Sequence, residues 1–386
     1  MKIILKLLAG MIAGILIGFY APDAVIRLLL TAYGTVGQLI KFTIPLIILF
    51  YIANGIASLP SGSGKLLGRT VAFSYGSTLI AGVLAYLVAR AALPVISPQF
   101  AEAGREAEVL NAYFSLEVPP LFDVMSALVA AFVFGIGISA GGGTTLRSFF
   151  AQGCDVIERL LSKVVIPLLP LYIAGVFAAM AADGSVFTTL HAFGKVLVLA
   201  IVMHWVWLAV LYVTTGLLNG HSPFELIRKM MPAYVTALGT MSSAATIPVT
   251  LRSVKSAKVS EPIANFVVPL CANIHLSGST ITLVTCSSAV MLMTPGVGLP
   301  SLATMLPFIL MLGVIMVAAP GAPGGAVMSS VGLLTSMLGF NEQQVALMIA
   351  LYLAQDSFGT ATNVTGDGVI AIWMDRFFGT QVAAAK

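Results

Sequence analysis

A short polar motif near the C-terminus lies inside a segment that otherwise has the composition of a membrane-spanning helix. The motif runs Ala354-Gln-Asp-Ser-Phe-Gly-Thr-Ala-Thr-Asn-Val-Thr-Gly-Asp367. Its polar side chains recur at i, i+4, i+7 and i+11, the spacing of one helix face. They are Asp356, Thr360, Asn363 and Asp367. A carboxylate in hydrocarbon costs on the order of several kcal/mol, so the motif predicts a substrate or ion site in a bundle interior or wet cavity. A structural carboxylate paired inside a helix bundle is the alternative.

The composition of the whole chain is that of a polytopic membrane protein. Of its 386 residues, 59% are hydrophobic and 9% are charged, and the mean hydropathy is +1.02. Soluble domains carry about 25% charged residues, so a soluble fold is excluded. The N-terminal apolar run predicts a first spanning helix rather than a signal peptide, since no convincing small-residue cleavage site follows it. The net charge of +4 is explained by loop topology rather than by nucleic acid binding.

The remaining candidate nucleophiles and metal ligands do not form a recognisable enzyme site. Cys154, Cys271 and Cys286 lie far apart in apolar segments, without metal-binding spacing. An intramembrane protease would need a Ser/His pair or aspartates on facing helices, whereas Asp356 and Asp367 share one helix. A channel would need a pore lined by repeated polar rings. We therefore predict that the chain is not an enzyme and has no cofactor.

Eight apolar segments have the ~20-residue length that spans a bilayer, or more. They lie at 3–21, 28–59, 69–95, 119–141, 148–181, 188–219, 259–293 and 341–374. Lysine and arginine concentrate at both termini and in one set of loops, whereas acidic residues, including those at 102–108, concentrate in the other set. The positive-inside rule therefore predicts a multi-pass protein of the cell (inner) membrane with both termini in the cytoplasm.

Two further stretches do not fit as single spans. Basic residues bracket the apolar part of 223–258, so a re-entrant hairpin of two helices, each about 16 Å long, keeps both flanks cytoplasmic. Its tip would lie at 239–248. The loop Ala319-Pro-Gly-Ala-Pro-Gly-Gly325 cuts the uncharged stretch before the last span into arms at about 302–318 and 326–338. Two oppositely oriented broken helices indicate a secondary-transporter site near the membrane midplane. Ordinary spans with proline kinks are the alternative.

Four motifs carry a resemblance to a known family. They are Met241-Ser-Ser-Ala-Ala-Thr-Ile-Pro-Val-Thr250, Asn273-Ile-His-Leu-Ser-Gly-Ser279, the Pro-Gly-Ala-Pro-Gly-Gly loop and Asp356-x-x-x-Thr-x-x-Asn-Val-Thr-Gly-Asp367. With the order of spans and hairpins, they resemble the dicarboxylate/amino acid:cation symporter family, which contains the glutamate transporters. The resemblance implies an all-α fold of eight transmembrane helices plus two re-entrant helical hairpins. It also implies a homotrimer that works by an elevator mechanism.

The resemblance further implies a division of the chain into two parts. A fixed scaffold would comprise 1–68, with spans 1 and 2, and 96–187, with spans 4 and 5. A mobile transport domain would comprise 69–95, with span 3, and 188–386. The second of these ranges holds span 6, a hairpin at 223–258, span 7, a hairpin at 302–338 and span 8. The outer hairpin would be the extracellular gate.

Individual site residues also follow from the resemblance. Asp356 matches the acid that pairs with a substrate α-ammonium group, and Asn363 matches the amide that holds the α-carboxylate. The other implied substrate residues are Met241, Ser242, Ser243, Ser279, Gly324, Gly325, Gly359 and Thr360. Asp367 matches the carboxylate of a sodium site built largely from main-chain oxygens. Its other implied members are Cys271, Asn273, His275 and Asn363.

Three departures from the family pattern bear on the substrate and the ion. Gly359 stands where acidic-substrate members carry arginine, so no guanidinium is offered to a side-chain carboxylate. Ser277 replaces a carboxylate that helps to bind one sodium ion. The neighbouring His275 belongs to a residue type that titrates near neutral pH. Met241 replaces an arginine of the hairpin tip, which removes another positive charge.

These features predict a cation-coupled symporter of a small, neutral amino acid. Na⁺ is the expected coupling ion, with reduced dependence on its concentration, and H⁺ is the alternative. A C4-dicarboxylate or acidic amino acid symporter is the competing hypothesis. The predicted partners are the substrate, a monovalent cation, the lipid bilayer and further copies of the chain, but no nucleic acid.

Overall fold

The computed structural model describes residues 2–57, 64–96, 110–141, 143–294, 296–317, 319, 321 and 323–384, so the predicted acidic loop at 102–108 lies outside them. Regular secondary structure in these residues is helical throughout. The helices are α1 (Lys2–Tyr20), α2 (Asp23–Ala57), α3 (Gly64–Ile96), α4 (Val124–Gly141), α5 (Thr144–Leu160), α6 (Ile166–Ala182), α7 (Val186–Asn219), α8 (Pro223–Thr240), α9 (Ser243–Ser256), α10 (Glu261–Ile274), α11 (Ser277–Met293), α12 (Leu302–Met316), α13 (Gly325–Leu338) and α14 (Glu342–Ala384). A π-helical segment, Leu161–Val165, joins α5 to α6.

Several helices can cross a membrane, as the composition predicts. Within the described ranges, six helical stretches are long and apolar enough. They are Asp23–Ala57, Lys65–Val95, Val124–Gly141, Thr144–Ala182, Val186–Asn219 and Glu261–Met293. The apolar part of α1 is shorter, and α14 carries the polar motif in its middle. The membrane class of the protein is therefore supported, and the count of eight spans stays a prediction.

Helices α8 and α9 form a first helix pair, joined by Met241 and Ser242 alone. Met241 ends α8 in the left-handed conformation with φ 52°, and the Ser242 hydroxyl begins α9 by accepting the Ala245 amide at 3.2 Å. This break lies inside the predicted tip. The two arms have 18 and 14 residues, and α8 in particular is longer than expected. The reason is that the basic flanks, which include Arg228 and Arg252, lie within the helices.

Helices α12 and α13 form a second helix pair, whose bounds lie close to the predicted arms. The connection is rich in proline and glycine, neither of which sustains a helix. Gly324 precedes α13 with φ 74°, a conformation that glycine adopts without steric cost. The loop composition therefore accounts for both the break and its position.

A third break was not predicted. The stretch at 259–293, expected to be one span, is split into α10 and α11. His275 and Leu276 lie between them with non-helical backbone angles, φ −115° and ψ 84° for His275. The break frees the amide groups of the first turn of α11 for side-chain partners. It also places His275 at the C-terminal end of α10.

The helices pack in two groups, and the long α14 belongs to the second of them. In one group α2 contacts α4, α5 and α6, and α1 lies along α6. In the other group α14 contacts α7, α8, α9, α10 and α11, and α3 lies along α11. Helices α12 and α13 pack with this second group, against α3, α11 and α14. Contacts between the groups are fewer and join α13 to α2 and α4, α14 to α6 and α1, and α6 to α7. The second group surrounds the polar motif of α14.

Candidate substrate and cation sites

A small cavity lies where three helices begin beside the middle of α14. Its free volume is about 10 Å³, near the space of one water molecule. A ligand larger than a water molecule therefore fits only if the surrounding helices separate. Helices α9, α11 and α13 each contribute a residue of their first turn, and helix N-termini attract anions. The lining residues are Met241, Ser243, Leu276, Ser279, Gly321, Ala326, Tyr352, Asp356, Thr360 and Asn363.

Asp356 is the only charged side chain among the described residues that line this cavity. It is 4% exposed, and its Oδ2 accepts the Gly324 amide hydrogen at 2.8 Å. The Thr360 hydroxyl lies 3.5 Å from Oδ1. A carboxylate can accept about four hydrogen bonds, so capacity remains for an ammonium group. Asp356 therefore connects α14 to the start of α13 and offers a partner to a positive ligand group.

Asn363 connects α14 to the start of α11. Its Oδ1 accepts the amide hydrogens of Gly278 at 2.7 Å and Ser279 at 3.3 Å. Its Nδ2 donates to Ser279 Oγ at 3.0 Å. A side-chain amide has two N–H donors, so one remains for a carboxylate in the cavity. The residue is 1% exposed, which favours this use of its second donor.

The connections of the two helix pairs meet beside the cavity. The Ser242 hydroxyl donates to the Gly321 carbonyl at 2.7 Å and so ties the first pair to the second. Four of the implied substrate residues are not in the cavity lining, although Gly324 contacts Asp356 directly. These four are Ser242, Gly324, Gly325 and Gly359.

Gly359 lies at the crossing of α14 and α11 rather than at the cavity. A Cβ added there would meet Thr282 Oγ1 at 3.4 Å and the Gly278 carbonyl group at 3.6 Å, which are ordinary contacts. The space at the opposing Gly278 is much smaller, because a Cβ added there would lie 2.3 Å from the Gly359 carbonyl oxygen. Gly359 therefore contributes to the packing of α14 against α11 and does not line the small cavity.

A second polar cluster lies farther along α14, about 16 Å from Asp356 by helix rise. Asp367 Oδ1 lies 3.0 Å from His275 Nδ1, and His275 Nε2 lies 2.9 Å from Ser77 Oγ on α3. The side chains of His275 and Asp367 are 0% and 1% exposed. An ionised carboxylate only accepts, so Nδ1 must carry hydrogen, while Nε2 either accepts from Ser77 or donates to it. Both the neutral and the charged imidazole are thus fully paired.

The packing around His275 is specific. A Cβ added at Gly366 would lie 2.7 Å from His275 Cε1, so glycine gives the ring its space. The Cys271 carbonyl accepts the His275 amide hydrogen at 2.9 Å. The implied cation ligand Asn273 is exposed, and its side chain donates to the Pro269 carbonyl at 3.1 Å. The Asp367 cluster therefore includes the side chain of His275 but not that of Asn273.

Sequence reasoning missed five residues of these sites, namely Leu276, Gly321, Ala326 and Tyr352 of the cavity lining and Ser77 beside His275. Tyr352 lines the cavity, and its hydroxyl donates to Ser279 Oγ at 3.1 Å. Its position one turn before Asp356 could have indicated that it shares the polar face. Ser77 is separated from His275 by 198 residues, so no local pattern connects them.

Comparison with known proteins gives a family match and relatives. The model of the sodium:dicarboxylate symporter family matches residues 3–377. A C4-dicarboxylate transport protein of Sphingopyxis alaskensis is 25% identical over 399 aligned positions, which cover 95% of this chain and 86% of the relative. Excitatory amino acid transporter 4 of Mus musculus is 27% identical over 271 positions, which cover 68% of this chain and 47% of the relative.

Proposed function

The chain belongs to the sodium:dicarboxylate symporter family, whose members are cation-coupled membrane transporters, and we propose that it carries a small neutral α-amino acid. The substrate enters the cavity beside α14, and a monovalent cation is transported with it. The protein is a transporter and not an enzyme. Its location is the cell (inner) membrane, with both termini in the cytoplasm.

The observation that carries this proposal is the charge pattern of the cavity. Asp356 provides one negative group, and the starts of α9, α11 and α13 provide partial positive charge around it. The free N–H of Asn363 adds a donor on the carboxylate side. An α-amino acid backbone carries one ammonium and one carboxylate, so it satisfies both parts of this pattern.

A C4-dicarboxylate or acidic amino acid is the competing substrate class, and one relative is named for dicarboxylate transport. Such a ligand brings a second carboxylate into the site. No lysine or arginine is found among the described lining residues, and Asp356 would repel a dicarboxylate. The neutral amino acid is therefore the better match to the cavity.

Uptake into proteoliposomes tests the proposed function. We expect alanine- or serine-sized neutral amino acids to accumulate under an inward Na⁺ gradient, and succinate and aspartate to do so poorly. The reason is that the described lining residues offer no positively charged side chain to pair with a second carboxylate. Separate Na⁺ and pH gradients, applied to one panel of labelled substrates, give the measurement. Preferred uptake of succinate or fumarate would contradict the neutral amino acid assignment.

The transport mechanism we propose is an elevator in a homotrimer. The scaffold comprises 1–68 and 96–187, and the transport domain comprises 69–95 and 188–386. The sparse contacts between the two helix groups support a sliding interface at this division. The Ser242–Gly321 hydrogen bond supports a role of the second helix pair as the extracellular gate, which opens by leaving the first pair.

For the coupling cation we propose Na⁺, with fewer bound ions than the family pattern implies, and H⁺ as second candidate. Asp367 supplies a hard oxygen ligand suited to Na⁺. The contact between Asp367 and His275 favours H⁺ as the coupling ion. The imidazole contacts one Asp367 oxygen at the place where a bound metal cation would otherwise lie. Substrate and ion must tighten each other's binding in either case.

The His275→Gln variant separates the two ions. Glutamine preserves a donor for Asp367 but does not titrate, so proton coupling predicts that substrate affinity depends on pH in the wild type and does not depend on pH in the variant. Sodium coupling predicts a shallow Na⁺ dependence in both. The measurement is substrate binding over a grid of pH and Na⁺ concentration. His204→Gln, at a second fully buried histidine on α7, is the control.

The control should keep the wild-type pH profile, since His204 contacts Gly278 and Thr282 and not Asp367. Wild-type binding that is indifferent to both Na⁺ and pH would contradict both versions of coupling. It would indicate a facilitator or an exchanger.

A further inference from the structure

Tyr352 is the largest side chain of the cavity wall that is anchored independently of the two helix pairs. It lies on α14 one turn before Asp356 and is 1% exposed. Its hydroxyl donates to Ser279 Oγ at 3.1 Å, and the same Ser279 oxygen accepts Asn363 Nδ2 at 3.0 Å. The tyrosine ring is therefore held between α14 and α11 by the network that also orients Asn363.

The lining residues differ in how far they can move when the cavity opens. Gly321 and Ala326 belong to the second helix pair, which is tied to its surroundings by the hydrogen bonds of Ser242 and Gly324. Movement of that side of the cavity away from Asp356 and Ser242 requires both bonds to break. Tyr352 stays in place, because its hydrogen-bond partner Ser279 lies on α11, and α11 packs against α14 in the same helix group.

We propose that Tyr352 determines the largest amino acid side chain that the cavity accepts. The inference rests on the proposed function, since it assumes that Asp356 and Asn363 hold the two α-groups of the substrate. With those groups fixed, the substrate side chain must share the remaining space with the phenol ring. The anchored ring excludes large side chains and leaves space for small ones, such as those of alanine and serine.

Tyr352→Ala is the direct test. We expect larger neutral amino acids, such as leucine and phenylalanine, to gain at least about tenfold in affinity relative to alanine, because one methylene group alone changes selectivity by roughly tenfold or more. Tyr352→Phe keeps the ring and should keep the wild-type size ranking. The measurement is competition by alanine, serine, valine, leucine and phenylalanine against a labelled small amino acid in purified protein.

Tyr86→Ala is the matched control. Tyr86 is an equally buried tyrosine on α3, and its hydroxyl donates to the Pro300 carbonyl at 2.8 Å, away from the cavity. This variant loses the same atoms and should keep the wild-type size ranking. Tyr352→Leu loses less packing volume, and it takes the place of Tyr352→Ala in the size series if the alanine variant does not fold.

An unchanged size ranking in Tyr352→Ala or Tyr352→Leu would overturn the role of Tyr352. A ranking that changed equally in Tyr86→Ala would also overturn it, since the effect would then be general loosening. Failure of the proposed function looks different, because the wild type would bind succinate in preference to every amino acid of the series.

Discussion

Replacing Asp356 with asparagine is expected to abolish amino acid binding while the protein stays folded. Asparagine retains an oxygen that accepts the Gly324 amide hydrogen, so the contact between α14 and α13 survives. What disappears is the negative charge that pairs with an α-ammonium group. Loss of one partner from a buried charge pair costs about 2–5 kcal/mol, which corresponds to at least about a 30-fold loss of affinity.

The measurement is equilibrium binding of a labelled small amino acid to the purified variant, with thermal unfolding and size-exclusion chromatography as tests of folding. Asp375→Asn is the control, because Asp375 lies on the same helix and accepts from Ser260, outside both candidate sites. This control should bind like the wild type. Near wild-type affinity in Asp356→Asn would refute the assignment of Asp356 to the α-ammonium group.

Helical periodicity was sufficient to predict which polar side chains of α14 face the small cavity. Asp356, Thr360 and Asn363 follow the i, i+4, i+7 spacing, and all three line the cavity. The breaks of the two helix pairs also follow from local chemistry. Proline and glycine cannot sustain the helix near 320–325, and charge on both flanks is incompatible with one span at 223–258.

Contacts between distant segments were beyond the reach of sequence patterns. A helical wheel places Gly359 near Asp356, but it does not show that α11 packs against that position. The Ser77–His275–Asp367 cluster joins α3, the end of α10 and α14. The break at His275 was missed because isolated polar residues in an apolar stretch do not by themselves end a helix, and the two residues at the break, His275 and Leu276, are neither proline nor glycine.

Gly278→Ala is expected to be far more damaging than Gly359→Ala, although both glycines lie at one helix crossing. A Cβ at position 278 would lie 2.3 Å from the Gly359 carbonyl oxygen and 2.7 Å from Thr362 Cβ. Backbone must therefore move, and overpacking of this kind costs about 1–3 kcal/mol or more. At position 359 the nearest atoms lie at 3.4 and 3.6 Å, so alanine fits without a shift.

Gly278→Ala should disturb the proposed substrate cavity as well as lower the stability of the protein. The Gly278 amide donates to Asn363 Oδ1 at 2.7 Å, so separation of α11 from α14 disturbs the amide assigned to the α-carboxylate. We expect Gly278→Ala to lower both the unfolding temperature and the substrate affinity. Gly359→Ala should leave affinity unchanged and can raise stability, since alanine is favoured over glycine in helices by up to about 1 kcal/mol.

Thermal unfolding and equilibrium binding, measured on the two variants side by side, test this difference. Equal effects of the two substitutions would contradict the crossing geometry. Loss of affinity in Gly359→Ala without loss of stability would have a different meaning. It would return Gly359 to the substrate site, because a small added methyl group could then act only by entering the space that the ligand occupies.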